Sequence, residues 1–311
     1  MVTFSFNPET DIPDLSGKVI VITGATSGIG RVAARAFAKH NPAFIWLSGR
    51  SASRADAVIA ELNAISPTTR TAFLPCDLSS LSSVAAAADT VLAGPANSTP
   101  RLDILMCNAG VATLPTGLSA DGYEVQFATN HLGHALLIRK LLPLVEKAPD
   151  PRVVVLTSLA FNMAGGIPFD KLRTTQSMMF GKWRRYGQSK LANLLYSREL
   201  AKRYPNVTVV CVHPGVVMTE MVATMSWINW AIVQVTTFWY QLTLEQGAYN
   251  QLWASVVPKD QVTSGAFYEP VGKSSTPQTA TAKHDGLALK LWEWTEKELE
   301  KYLAGGADTR L

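Results

Sequence analysis

The run Val19-Ile20-Val21-Ile22-Thr23 leads without a break into Gly24-Ala25-Thr26-Ser27-Gly28-Ile29-Gly30, and an amphipathic stretch follows. A buried strand, a glycine-rich turn and a helix in succession restrict the chain to folds made of β-α units. The rhythm repeats. Apolar runs at 19–23, 44–48, 71–74, 102–107, 152–157 and 207–213 alternate with helical patterns at 29–40, 53–63, 80–92, within 120–147, from about 186 to 203, and at 287–303. The strands are near-continuous apolar stretches, which marks parallel strands covered on both faces. Helices between them imply right-handed crossovers and a doubly wound α/β sheet. No linker divides two cores, so the chain is expected to form a single domain over residues 1–311, with an N-terminal arm at 1–16 and a C-terminal helix at 285–304. Two stretches break the rhythm, 159–185 and 216–244, and residues 221–244 carry no charge.

Hydrophobic residues are 47% of the chain, enough for a large core. The 28 basic and 24 acidic residues are scattered, with no run of five Lys/Arg, so nucleic-acid binding is not expected. Cys76, Cys107 and Cys211 each follow an apolar run and read as buried thiols rather than a disulfide scaffold or zinc site. Residues 1–14 have neither a basic nor an apolar signal region, so a cytoplasmic protein is expected and the sequons at Asn97 and Asn206 carry no weight.

Glycines after a strand and before a helix let the backbone approach a pyrophosphate, whose charge then sits on the helix dipole. The expected dinucleotide contacts are Gly24, Thr26, Ser27, Gly28, Ile29 and Gly30. The spacing Gly-x-x-x-Gly-x-Gly resembles the short-chain dehydrogenase/reductase family, over about residues 15–268. An acidic side chain ~20 residues beyond such a loop would bind the adenosine ribose of NAD. Arg50 stands there instead, and no Asp or Glu lies between Gly30 and Asp56. A guanidinium suits a 2′-phosphate, so the expected cofactor is NADP(H). The resemblance further implies that Asp77, in Cys76-Asp77-Leu78, contacts the adenine, and that Asn108-Ala109-Gly110 supports the sheet and lines the cleft.

Tyr186-Gly187-Gln188-Ser189-Lys190 places a phenol and an ammonium at i, i+4 on one helix face. The ammonium is expected to lower the tyrosine pKa. Ser158 ends the fifth strand, at the carboxyl edge where ligands bind in open α/β sheets, and Asn130 lies in the preceding long helix. These four resemble the family's Asn-Ser-Tyr-Lys tetrad in type and order. The resemblance implies that Tyr186 donates the proton, Lys190 lowers its pKa and holds the nicotinamide ribose, Ser158 binds the carbonyl oxygen, and Asn130 positions a water. It also implies that Pro214, Gly215, Val217 and Thr219, in the segment after His213, hold the carboxamide. The long separation of Ser158 from Tyr186, together with Leu244-Glu245-Gln246-Gly247-Ala248, is similar to the retinol-dehydrogenase-like branch. His131 and His134 share a helix face, but no carboxylate or cysteine accompanies them and no metal is expected.

The expected activity is NADPH-dependent reduction of a ketone or aldehyde in a largely apolar small molecule. The rivals are NAD(P)-dependent alcohol oxidation and a non-catalytic NADP(H) sensor. Residues 216–244 are expected to form a hydrophobic substrate lid with Trp227, Trp230, Phe238 and Trp239 as its walls, and Met163, Met178, Met179 and Phe180 opposite. Contact of that lid with a membrane surface is the less favoured reading. A membrane span is disfavoured by Asn229, Gln234 and Gln241. The resemblance implies a homodimer paired through the two helices beside the central sheet.

Overall fold

Both faces of the sheet are covered, which is why its strands read as unbroken apolar runs. The computed structural model describes residues 4–94, 101–177, 181–217, 241–277 and 279–304. Strands β1 (Val19–Thr23), β2 (Phe44–Gly49), β3 (Arg70–Pro75), β4 (Ile104–Cys107), β5 (Arg152–Leu156) and β6 (Thr208–Val212) run parallel in the order β3-β2-β1-β4-β5-β6. Helices α1 (Gly28–Ala38), α2 (Ala52–Ile65), α3 (Leu81–Ala93), α4 (Gly133–Val145), α5 (Gly181–Arg203), α6 (Leu244–Val256) and α7 (Asp285–Leu303) flank them. On one face Ile20, Ile22, Ile45 and Leu47 pack with Ala34, Phe37, Leu62 and Leu252. On the other, Val21, Leu105, Val153 and Val155 pack with Val84, Leu136, Leu191 and Leu195. This is the expected doubly wound, Rossmann-like sheet. Strand β1 lies between β2 and β4, with Ile22 opposite both Leu47 and Met106. Strand order reverses between β1 and β4, so their carboxyl ends open a crevice between diverging loops.

Several elements go beyond the sequence reading. Two short parallel strands, β7 (Val216–Val217) and β8 (Gln241–Leu242), pair near the two ends of the 216–244 segment. Strand β9 (Phe267–Glu269) adds parallel to β6, and β10 (Lys273–Ser274) closes the edge antiparallel. Helix α6 starts at a capping box: Gln246 N–H donates to Thr243 Oγ1, and Thr243 N–H donates to Gln246 Oε1. Helix α5 begins at Gly181, so Tyr186 sits in its second turn rather than at its start. The expected wall and lid residues Met178, Met179, Phe180, Trp227, Trp230, Phe238 and Trp239, and Thr219, lie outside the described residues. Met163 is exposed. Among the described residues no helix is long and apolar enough to cross a membrane.

Helix α7 lies across α4 and α5. Trp292 stacks on Tyr196 with ring centroids 4.8 Å apart, Arg139 Nε donates to Glu296 at 2.9 Å, and His131 pairs with Thr295 at 3.1 Å. The two helices expected to pair in a homodimer therefore carry the chain's own C-terminal helix.

Candidate active site

The glycine loop is shaped for close approach. A Cβ on Gly30 would lie 2.3 Å from the Gly24 carbonyl oxygen and 2.5 Å from Asn108 Nδ2, so only glycine lets α1 start against the ends of β1 and β4. Gly28 faces open space with φ +55°. Ser27 sits at the N-cap but its side chain makes no capping bond, which leaves the first-turn N–H groups of α1 available to an anion. Thr23 locks the crevice from below. Its Oγ1 accepts from Asn108 N–H and Ala109 N–H, both at 2.9 Å, and Asn108 Nδ2 donates to the Thr23 carbonyl at 2.8 Å. Gln251 Nε2 reaches Asn108 Oδ1 at 3.1 Å from α6.

The sequence-predicted cofactor residues gather along this crevice. Arg50 directly follows β2, is exposed, and makes no hydrogen bond or ion pair among the described residues. Asp77 uses Oδ1 to accept from Ser79 N–H (3.0 Å) and Ser79 Oγ (2.7 Å); Ser80, not Asp77, caps α3. The Leu78 carbonyl packs on Gly133 at the start of α4. Pro214 and Gly215 (φ +88°) turn the chain after β6, followed by Val217 in β7.

Tyr186, Lys190, Ser158 and Asn130 meet at the carboxyl edge of β4 and β5. A Cβ on Gly187 would lie 2.5 Å from the Ala160 carbonyl, so this glycine lets the 3₁₀ turn Leu159–Met163 lie on α5 and bring Ser158 beside Tyr186. Lys190 Nζ donates to the Leu156 carbonyl at 3.1 Å and sits 5.8 Å from the centroid of the Tyr186 ring. The expected lowering of the tyrosine pKa is not realised in the cofactor-free protein. Burial pushes the Tyr186 hydroxyl above its ordinary value, and the Ser158 hydroxyl pulls only the other way. Burial also lowers Lys190 to about 8. Burial disfavours the charged form of each group.

Asn130 lies in a π-helical turn, Ala128–Leu132, ahead of α4. Its side chain is fully committed to protein: Oδ1 accepts from Val111 N–H (2.8 Å), and Nδ2 donates to the Val111 carbonyl (2.8 Å) and to Ser189 Oγ (2.9 Å). Ser189 Oγ in turn donates to the Tyr186 carbonyl at 2.7 Å. His134 explains itself here. Its Nδ1–H donates to the Asn130 carbonyl at 3.0 Å and its Nε2 accepts from the Thr23 hydroxyl at 2.9 Å. Burial holds it neutral, at about 4. It is a strut, as is His131, and among the described residues no cluster of His, Cys, Asp and Glu could hold a metal. All three cysteines are free and buried.

The sequence reading missed four supporting side chains. Thr157 Oγ1 donates to the Lys190 carbonyl (2.7 Å), and Asn193 Nδ2 donates to the Leu156 carbonyl (3.0 Å). Asn250 Nδ2 holds the His213 carbonyl (2.7 Å) and the Tyr268 carbonyl (3.0 Å) at the β6 turn. Trp183, one helical turn before Tyr186, meets it edge-on at 6.4 Å. The i+3 spacing of Lys190 and Asn193 was the one available signal.

The buried ammonium gives a stability prediction. Lys190 titrates at about 8 when folded against an ordinary value of 10.5, so the unfolded chain holds more protons between those values. Stability from this group therefore rises with pH across that window, and the full desolvation cost is present below about 8. Lys190→Met removes the cost, and Asn193 still serves the Leu156 carbonyl. Urea midpoints of the cofactor-free proteins should favour the variant at pH 7 and converge near pH 10.5. A pH-independent difference would contradict the assignment.

A glycine-lined crevice at a strand-order switch, with a tyrosine, a lysine and a serine converging at its far end, defines a dinucleotide-binding α/β protein with an acid–base site. The short chain dehydrogenase family model matches residues 18–168. A short-chain dehydrogenase/reductase of Aspergillus calidoustus, drtF, is 33% identical over 93% of this chain and 96% of its own. Retinol dehydrogenase 12 of Mus musculus is 33% identical over 89% of this chain and 85% of its own. The solved structure of L-sorbose reductase from Gluconobacter frateurii superposes with a TM-score of 0.65 at 20% identity, covering 87% of this chain and 100% of that one. The chain belongs to the short-chain dehydrogenase/reductase family, in its retinol-dehydrogenase-like branch.

Proposed function

We propose that this oxidoreductase reduces the carbonyl group of a sizeable, largely apolar ketone or aldehyde with NADPH. The observation that carries the reading is the seating of Ser158 beside a protonated Tyr186, on a helix whose Lys190 anchors to the adjoining strand end. The crevice residues fit the dinucleotide: Gly30 leaves no room for a Cβ, the first turn of α1 is uncapped by side chains, and Arg50 is free to meet a 2′-phosphate. Gly24, Thr26, Ser27, Gly28, Ile29, Asp77, Leu78, Asn108, Ala109 and Gly110 would line its adenosine and phosphate side. Pro214, Gly215, Val217 and Thr219 would line its carboxamide side. Bound there, NADPH supplies the hydride. Tyr186 gives its phenolic proton to the substrate oxygen as the hydride arrives. Ser158 Oγ donates a hydrogen bond to the same oxygen as negative charge develops. Lys190, held by the Leu156 carbonyl, would bind the nicotinamide ribose and stabilise the phenolate left behind. Asn130 braces Val111 and, through Ser189, the Tyr186 turn; its main-chain carbonyl accepts from His134 Nδ1–H.

An apolar substrate is supported by Trp183 beside the acid, by the uncharged stretch at 221–244, and by relatives named retinol dehydrogenases. Trp183→Ala should raise KM for a bulky aromatic carbonyl roughly two- to tenfold, the equivalent of an aromatic contact of ~0.5–1.5 kcal/mol. KM for a small ketone and the cofactor Kd should stay put; a uniform rise would remove Trp183 from the substrate wall. The proposal as a whole is tested by following NADPH and NADH oxidation against a panel of lipophilic and small carbonyls. Turnover with NADPH and lipophilic carbonyls is expected, and NADH-only turnover would overturn the cofactor choice.

A further inference from the structure

Arg185 directly precedes Tyr186 and is almost wholly buried. Its guanidinium holds three separate segments. Nε donates to Glu124 Oε1 at 3.0 Å, Nη2 to the Leu114 carbonyl at 3.0 Å, and Nη1 to the Gln176 carbonyl at 3.3 Å. Leu114 belongs to the loop after β4, and Gln176 to the segment inserted between Ser158 and Tyr186. Glu124 is buried too. Its Oε2 accepts from Phe127 N–H at 2.8 Å, capping the helical turn that runs into the π turn of Asn130, and its own N–H donates to the Leu172 carbonyl at 2.8 Å. Asn130 returns to the Tyr186 carbonyl through Ser189, so the bonds close a circuit around the acid.

The backbone at the ends of Arg185's bonds is strained. Only three non-glycine described residues have positive φ, and two of them are Thr113 (+52°) and Gln176 (+47°). Thr113 adjoins Leu114, and a β-branched residue disfavours this conformation. Such residues persist where surrounding contacts over-determine them, and they concentrate at functional sites. A buried ion pair is on average no better for stability than packed apolar side chains. The pair is therefore not accounted for by stability, and its bonds all end on segments beside the acid.

We propose that Arg185 is a positioning residue. Through Glu124, Leu114 and Gln176 it sets the two loops on the substrate side of the crevice in register with the Tyr186 hydroxyl. The inference rests on the reading of Tyr186 as the acid. A misplacement on the order of 1 Å at a reacting centre can cost ~10²-fold. Arg185→Gln should therefore lower kcat/KM for carbonyl reduction roughly a hundredfold, with the NADPH Kd changed less than about threefold. Amide exchange at 112–118 and 172–177 should quicken in the same variant. Arg185→Lys, which keeps the charge but not the planar fork, should recover thermal stability and little of kcat. The double variant Arg185→Gln/Glu124→Gln removes the buried charge and should recover Tm while kcat/KM stays low. Recovery of activity together with Tm in the double variant would mean that Arg185 merely neutralises Glu124, and would overturn the proposal. Unchanged exchange at both loops would overturn it as well. If the wild type reduced no carbonyl at all, the reading of Tyr186 would fall, and the exchange at those loops would still decide for or against Arg185.

Discussion

Replacing Tyr186 with phenylalanine is expected to leave NADPH binding within a few-fold of wild type and to slow carbonyl reduction by at least ~10²-fold, the low end of what a positioned acid contributes. The substitution keeps the ring, and with it the edge-on contact to Trp183 and the placement of Lys190 near the ring face. The backbone carbonyl that accepts from Ser189 is untouched, so the Asn130 brace survives. Only the proton and the hydroxyl oxygen beside Ser158 are lost. Single-turnover absorbance at 340 nm with saturating NADPH separates the chemical step from binding. A variant with near-wild-type turnover would assign the proton to another group.

Arg50→Asp is the second large effect. Arg50 directly follows β2, exposed and with no partner among the described residues, so its guanidinium is free to meet a phosphate. A charge-assisted contact is worth ~1.5–3 kcal/mol, so kcat/KM with NADPH should fall roughly tenfold to a hundredfold. The new carboxylate would stand where an acidic side chain binds ribose hydroxyls, and relative use of NADH should rise. Because Arg50 has no structural partner to lose, the variant should melt within a degree or two of wild type. An unchanged NADPH/NADH ratio would detach Arg50 from cofactor choice.

The parts of the fold that could be read from sequence are those fixed by local backbone demands. Gly24, Gly28 and Gly30 after an apolar strand define the loop because a Cβ at Gly30 has no space. The i, i+4 pairing of Tyr186 and Lys190 is a property of one helix. The parts that were hidden depend on tertiary contact. Strand β9 is three residues long and offers no apolar run, so it forms only because β6 is there to pair with it. The first turn of α5 reads Lys182-Trp183-Arg184-Arg185, a charged stretch without helical patterning, and Arg185 looks like a solvated side chain until Glu124 is brought to it. The direction of the tyrosine shift needed burial as well as spacing. Spacing alone pointed to the Lys190 ammonium and carried nothing of the burial that raises Tyr186 and lowers Lys190. The C-terminal helix was legible as a helix, but its seat on α4 and α5 was not, since Trp292 and Glu296 find Tyr196 and Arg139 only across the fold.

The central claim is that Tyr186 and Ser158 receive a substrate carbonyl beside a dinucleotide whose phosphates are held over Gly28 and Gly30. The most direct test uses NADPH deuterated at C4 with a panel of lipophilic ketones and aldehydes, and mass spectrometry of the alcohols formed. The account predicts one deuterium on the carbinol carbon with the wild type, and label transfer reduced at least ~10²-fold with Tyr186→Phe. Alcohol formed without label, or label transferred equally well by both proteins, would contradict it.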